Sequence, residues 1–199
     1  MKRNVLFYVS PLYFYCKDLN MNVGKKFEQQ FYLSVPADCF VYRLKDSSQS
    51  FIKETNSKFS WDNPCDFFLF DTRNQLLYCL ELKTTCNKSI SFENIDSNEE
   101  QKKMIHKHQI KSLLKFSDYK NVVAGFVFNF RDKNNDAERT YFQEVSSFYS
   151  MSKRIQKQSF NEVDLLLNDC VKIAGEKKRV NYRWDIKNFL DDYKENYNG

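Results

Sequence analysis

A chain of 199 residues, 42% hydrophobic, 17% aromatic and 29% charged, is a folded protein with its own core and not a disordered one. Only four Gly and three Pro exclude a loop-dominated fold or a long linker. The length fits one domain that buries about 70% of its unfolded surface. The net charge of +5 permits a nucleic-acid partner without requiring one.

Residues 1–21 open with Lys2 and Arg3 and run into an apolar stretch that imitates a signal peptide. Ser10-Pro11 interrupts it, bulky aromatics crowd it, and no small-residue cleavage site follows. It is also too short to span a bilayer as a helix. The expectation is an N-terminal extension, as an edge strand or a loosely attached segment, with no membrane partner.

From residue 22 onward a single domain is expected. Phe27, Phe31 and Val35 recur at helical spacing, so Gly24 to Val35 reads as a helix closed by Pro36. Cys39 to Leu44 reads as a strand. Residues 45–63 are polar and Ser-rich, a long connection with a short strand around Phe51-Ile52. Pro64 to Thr85 reads as a hairpin turning at Asp71 to Asn74, with Leu76 to Lys83 apolar on both faces like a central strand. Thr84 to Asn98 reads as a polar loop. Glu99 to Phe116 reads as a helix with Ile105, Gln109, Leu113 and Phe116 on one face. Strands are expected at Val122–Phe130 and Arg139–Gln143, and helices at Ser146–Arg154, Asn161–Cys170 and Asp185–Tyr193, the last capped by Asp185. This order predicts a mixed α/β core with a helical tail.

The six cysteines, Cys16, Cys39, Cys65, Cys79, Cys86 and Cys170, form no CxxC pair and no zinc spacing. They read as reduced thiols of a cytoplasmic protein. His106 and His108 are two apart, a spacing that sends helical side chains in different directions and argues against a shared metal.

The hairpin carries the chemistry. Glu81 and Lys83 are two apart on one strand and point the same way, with Leu82 facing the other layer. An antiparallel turn at 71–74 sets Asp66 nearly opposite Glu81. Two close carboxylates do not both ionise cheaply, and a hard divalent cation resolves the conflict. Asp66, Glu81 and the Leu82 carbonyl are the candidate ligands, and Lys83 is placed to align water or hold a phosphate. A structural ion-pair cluster is the other reading of the same three residues. Glu28, off the Phe27/Phe31 stripe, is a candidate third carboxylate or a solvated surface group. Gln109 is a candidate site residue or a helix-border glutamine. Lys107, Lys111 and Lys115 form a stripe that is either solvated or phosphate-tracking.

"PCDFFLF…LLYCLELK" resembles the PD-(D/E)xK nuclease core, with Pro64, Asp66, Glu81 and Lys83 in its four slots. More narrowly, the chain resembles the RecU-type Holliday junction resolvases. "GKKFEQQF", the hairpin, "TTCNKSISFENI", "HKHQIKSL", "AGFVFNF" and "RVNYRWDIKNFLDDY" follow in family order over residues 22–195. The resemblance implies a restriction-endonuclease-like sheet flanked by helices. It implies a homodimeric, Mg²⁺- or Mn²⁺-dependent endonuclease that cuts four-way DNA junctions. By position, Asp66 and Glu81 correspond to metal ligands, Lys83 to the catalytic lysine, Gln109 to the helix glutamine lining the site, and Glu28 to the acidic residue of the first helix. The family's stalk corresponds to a shorter segment at about 45–63, and residues 1–21 have no counterpart. Candidate DNA contacts, chosen on charge and position, are Lys25, Lys26, Lys53, Lys58, Lys88, Lys107, Lys111, Lys177, Lys178 and Arg179. A nuclease of the same core acting on other DNA, and a DNA-binding protein without catalysis, are the alternatives.

Overall fold

Asp71 ends one strand of the central hairpin, and its buried carboxylate builds the turn. It accepts hydrogen bonds from the Arg73 amide at 3.0 Å and from Asn74 Nδ2 at 2.7 Å. Gln75 closes the turn with a φ of 55°. A computed structural model describes residues 22–44, 63–97, 101–132 and 137–197. The whole of the N-terminal extension, and all but Asn63 of the segment expected to form a stalk, with Lys53 and Lys58, lie outside the described residues.

In chain order the elements begin with α1 (Val23–Tyr32), β1 (Cys39–Arg43), β2 (Phe67–Asp71), β3 (Leu76–Thr85) and β4 (Ser89–Ser91). Then come α2 (Lys107–Ser117), β5 (Val122–Asp132), β6 (Ala137–Glu144), α3 (Val145–Arg154), β7 (Ser159–Asn161) and α4 (Glu162–Leu166). The chain continues through β8 (Val171–Ile173), β9 (Gly175–Lys178), β10 (Asn181–Trp184) and α5 (Ile186–Tyr197). Six strands form one mixed sheet in the order β1-β2-β3-β5-β6-β8. Among the described strands of this sheet only the β3–β5 pair is parallel, joined by a crossover that contains α2.

Both faces of the sheet are covered, which is why β3 and β5 are buried along most of their length. On one face Ile110 and Leu113 of α2 and Phe148 and Met151 of α3 pack on Cys79, Phe126 and Phe128. On the other, Phe27 and Phe31 of α1 and Phe189 and Leu190 of α5 pack on Leu80, Leu82 and Phe142. Gly125 sits where a Cβ would lie 2.4 Å from the Gln143 carbonyl oxygen, so the β5–β6 contact admits no side chain there. No helix among the described residues is long and apolar enough to cross a membrane.

Three local expectations are corrected, and one stretch without an expectation proves to be ordered. Helix α2 starts at Lys107, because Ile105 fits the helical stripe but bridges Phe92 in extended conformation. The loop after Lys83 contains β4, which pairs with β7. The helix expected over Asn161–Cys170 is only α4, capped by Asn161 and ended before Asp169 takes a φ of 52°. The highly charged stretch before Asp185 forms the β9–β10 hairpin.

Candidate active site

The register of β2 on β3 pairs Phe67 with Leu80, so Asp66 falls opposite Glu81 at the end of the hairpin. The Asp66 amide donates to the Leu80 carbonyl at 3.0 Å, and its own carbonyl accepts from the Leu44 amide at 2.9 Å. Its carboxylate Oδ2 accepts from the Leu82 amide at 2.7 Å. Backbone and side chain are therefore fixed together.

Glu81 is buried, and its Oε1 accepts from Lys83 Nζ at 2.8 Å and from Gln109 Nε2 at 2.5 Å. Gln109 is the third residue of α2, and its Oε1 also accepts from the His106 amide at 3.0 Å. One side chain thus ties the start of α2 to the hairpin. Glu93 anchors the same helix start, accepting from the Lys107 amide at 2.8 Å, with His106 Nδ1 at 3.0 Å from its other oxygen. Burial raises the Glu93 pKa, but these hydrogen bonds outweigh it and hold the carboxyl below its ordinary range. The His106 and His108 rings stack with centroids 5.5 Å apart, not divergent as helical spacing predicts, because His106 is the cap residue outside the helix.

The electrostatics of the hairpin end are those of crowded acids. Burial, then the neighbouring Glu81 carboxylate, push the Asp66 carboxyl up to about 7, against the Leu82 amide that favours its ionised form. Glu28 of α1 adds to that field, although its Oε2 is held by Arg43, with Nε at 2.7 Å. Among the described residues no three His, Cys, Asp or Glu side chains converge on one metal position. The protein's acidic donors to a cation here are therefore two, Asp66 and Glu81. Asp66 Oδ1 and Glu81 Oε2 accept no hydrogen bond from any described residue. Two free carboxylate oxygens beside a main-chain carbonyl suit a hard cation that completes its shell with water and phosphate oxygens.

These groups line a cavity of about 410 Å³ together with Thr84, Met104 and Arg131. Arg131 belongs to no motif, and sequence reading passes over it. The one signal is its position two residues beyond Asn129, on the same face of β5. A hollow of about 520 Å³ at the opposite end of β3 has Lys120 as the one charged residue among its described lining.

The basic residues chosen from sequence are dispersed. Lys25 and Lys26 are exposed on α1, Lys88 in the β3–β4 turn and Lys111 on α2. Lys107 is half-buried, with Nζ 3.4 Å from the Ser97 carbonyl. Lys177, Lys178 and Arg179 are exposed on the β9–β10 hairpin, where Lys178 pairs with Glu176.

No family model matches the chain. The SPbeta prophage-derived uncharacterized protein YotM of Bacillus subtilis (strain 168) is 32% identical over 175 residues, covering 82% of each chain. Among solved structures, Hjc of Archaeoglobus fulgidus, a Holliday junction resolvase from an archaeal hyperthermophile, aligns at a TM-score of 0.38 and 14% identity. That alignment covers 65% of this chain and 80% of that one.

Proposed function

The chain belongs to the family of the SPbeta prophage protein YotM, and on that premise we propose that it is a divalent-metal-dependent endonuclease acting on branched DNA. One observation carries the reading: Asp66 and Glu81 meet at the hairpin end, with Lys83 and Gln109 both on a single oxygen of Glu81. A structural ion pair explains Lys83 on Glu81. It does not explain a second, half-buried carboxylate driven toward neutrality at the same point. A Mg²⁺ or Mn²⁺ ion bound there supplies Lewis-acid stabilisation of the phosphate and a more acidic water.

The protein's own residues do the positioning. Asp66 Oδ1, Glu81 Oε2 and the Leu82 carbonyl are the proposed metal donors. Gln109 and Lys83 fix the Glu81 carboxylate so that its second oxygen faces the cavity in one orientation. The Lys83 ammonium is also the donor that aligns the attacking water. Glu28, through Arg43, sets the charge at the cavity rim. Affinity for DNA comes from phosphate contacts by the basic residues above, and so falls with salt.

The substrate proposed is the four-way junction, which the motif order of the resolvases implies. A two-fold dimer matches the symmetry of a junction, and the compartment proposed is the cytoplasm. Incubation with Mg²⁺ and either a synthetic four-way junction or a linear duplex of the same sequence tests this. Paired, symmetric nicks in the junction alone are expected. Equal cutting of both substrates reassigns the enzyme to DNA in general, and cutting of neither refutes the nuclease reading.

A further inference from the structure

We propose that Arg131 holds a phosphate of the strand being cut, next to the scissile one, as a substrate-binding residue outside the motif set. The inference rests on the nuclease reading. The cavity is lined by three acids, Glu28, Asp66 and Glu81, and by two cations, Lys83 and Arg131. Lys83 is committed to Glu81 at 2.8 Å. Among the described residues no carboxylate comes within ion-pair distance of Arg131. Glu138 faces it across the β5–β6 ladder, but its Oε2 accepts from Asn129 Nδ2 at 3.1 Å. A polyanion entering an acid-rich cavity needs cationic donors that are not already held in an ion pair, and Arg131 is the one among the described lining residues.

The guanidinium is also held in place. Arg131 Nε donates to Thr84 Oγ1 at 3.0 Å, and Thr84 Oγ1 donates to Asn129 Oδ1 at 2.6 Å. Asn129 is fully buried and donates to Thr140 Oγ1 at 3.0 Å, which also accepts from Trp184 Nε1 at 2.8 Å. This chain runs from the cavity into the core, and it uses only the inner nitrogen of the guanidinium. Among the described residues nothing bonds the two terminal nitrogens, which leaves them for a bidentate phosphate contact. Thr84 and Asn129 are positioning residues in this scheme.

The experiment compares wild type, Arg131→Ala, Arg131→Lys and Thr84→Val on a junction with single methylphosphonates at the scissile phosphate and its neighbours. Single-turnover cleavage is read in Mg²⁺ and binding is read in Ca²⁺. Absence of Mg²⁺-dependent cleavage by wild type sinks the nuclease reading, whatever Arg131 does. Given wild-type cleavage, Arg131→Ala is expected to cut about a hundredfold more slowly. It should take up Mg²⁺ like wild type and lose about one from the slope of log affinity against log salt. Arg131→Lys should recover part of the rate, and Thr84→Val should lose about tenfold with an unchanged salt slope. Neutralising one flanking phosphate should slow wild type but leave Arg131→Ala unaffected. Wild-type cleavage by Arg131→Ala, or a loss that adds to the effect of every methylphosphonate alike, overturns the proposal.

Discussion

Asp66 is where stability and proposed activity oppose each other. Its folded pKa of about 7 lies above the ordinary 3.8, so the folded state keeps a proton that the unfolded state releases. Stability therefore falls as pH rises from about 4 to about 7 and is level above that, and the full effect is on the order of 4 kcal/mol. Asp66→Asn removes the carboxylate while an amide oxygen can still accept from the Leu82 amide. Without metal, the variant is expected to melt above wild type, with a gap that widens between pH 5 and pH 8; a gap that shrinks contradicts the burial argument. Protons compete with a cation for the same oxygens, so Mg²⁺ affinity should weaken up to about tenfold per pH unit below 7. Metal titrations at pH 6 and pH 8 read this directly.

Elements place these residues, and the helix start of α2 is the most exacting of them. Glu93 fixes His106 and Lys107, and Gln109 then reaches Glu81. Glu93→Ala leaves the Lys107 amide without its acceptor and is expected to cost about 2 kcal/mol in urea denaturation. It should also slow cleavage through Gln109 while leaving Mg²⁺ uptake intact. Gly125→Ala is expected to destabilise by about 3 kcal/mol, because the Cβ meets the Gln143 backbone, which has no room to yield. The hairpin itself is legible in sequence, since β2 and β3 are apolar runs around an Asp-initiated turn and period two fixes their faces. That is enough to bring Asp66, Glu81 and Lys83 to one end. The start of α2 is not legible, because Ile105 satisfies the helical stripe while buried in an extended bridge. β4 and β7 are three residues each, and β4 carries serines at both ends, too short and polar for any periodic signal. β9 reads as a charge run because all four of its residues are exposed. Arg131 is hidden for a different reason: its place in the cavity depends on the parallel β3–β5 pairing, which brings residues 47 apart in sequence into contact.

At the scale of the whole molecule, a sheet closed on both faces leaves the end of β3 as the place where buried acids meet solvent. The basic residues chosen from sequence are spread over α1, α2, the β3–β4 turn and the β9–β10 hairpin. Junction affinity is therefore expected to fall steeply with salt. Replacing Lys111 and Lys115, both exposed on α2, with Ala should lower the slope by at most about one per residue without changing thermal stability. An unchanged slope removes that face from the interface.

The central claim is that Asp66 and Glu81 together hold a divalent cation. Isothermal titration of Mg²⁺ or Mn²⁺ into wild type, Asp66→Asn and Glu81→Gln at pH 8 tests it most directly. Saturable uptake by wild type that is lost in both variants is the predicted result. No uptake by wild type, or the same uptake by all three proteins, contradicts the account.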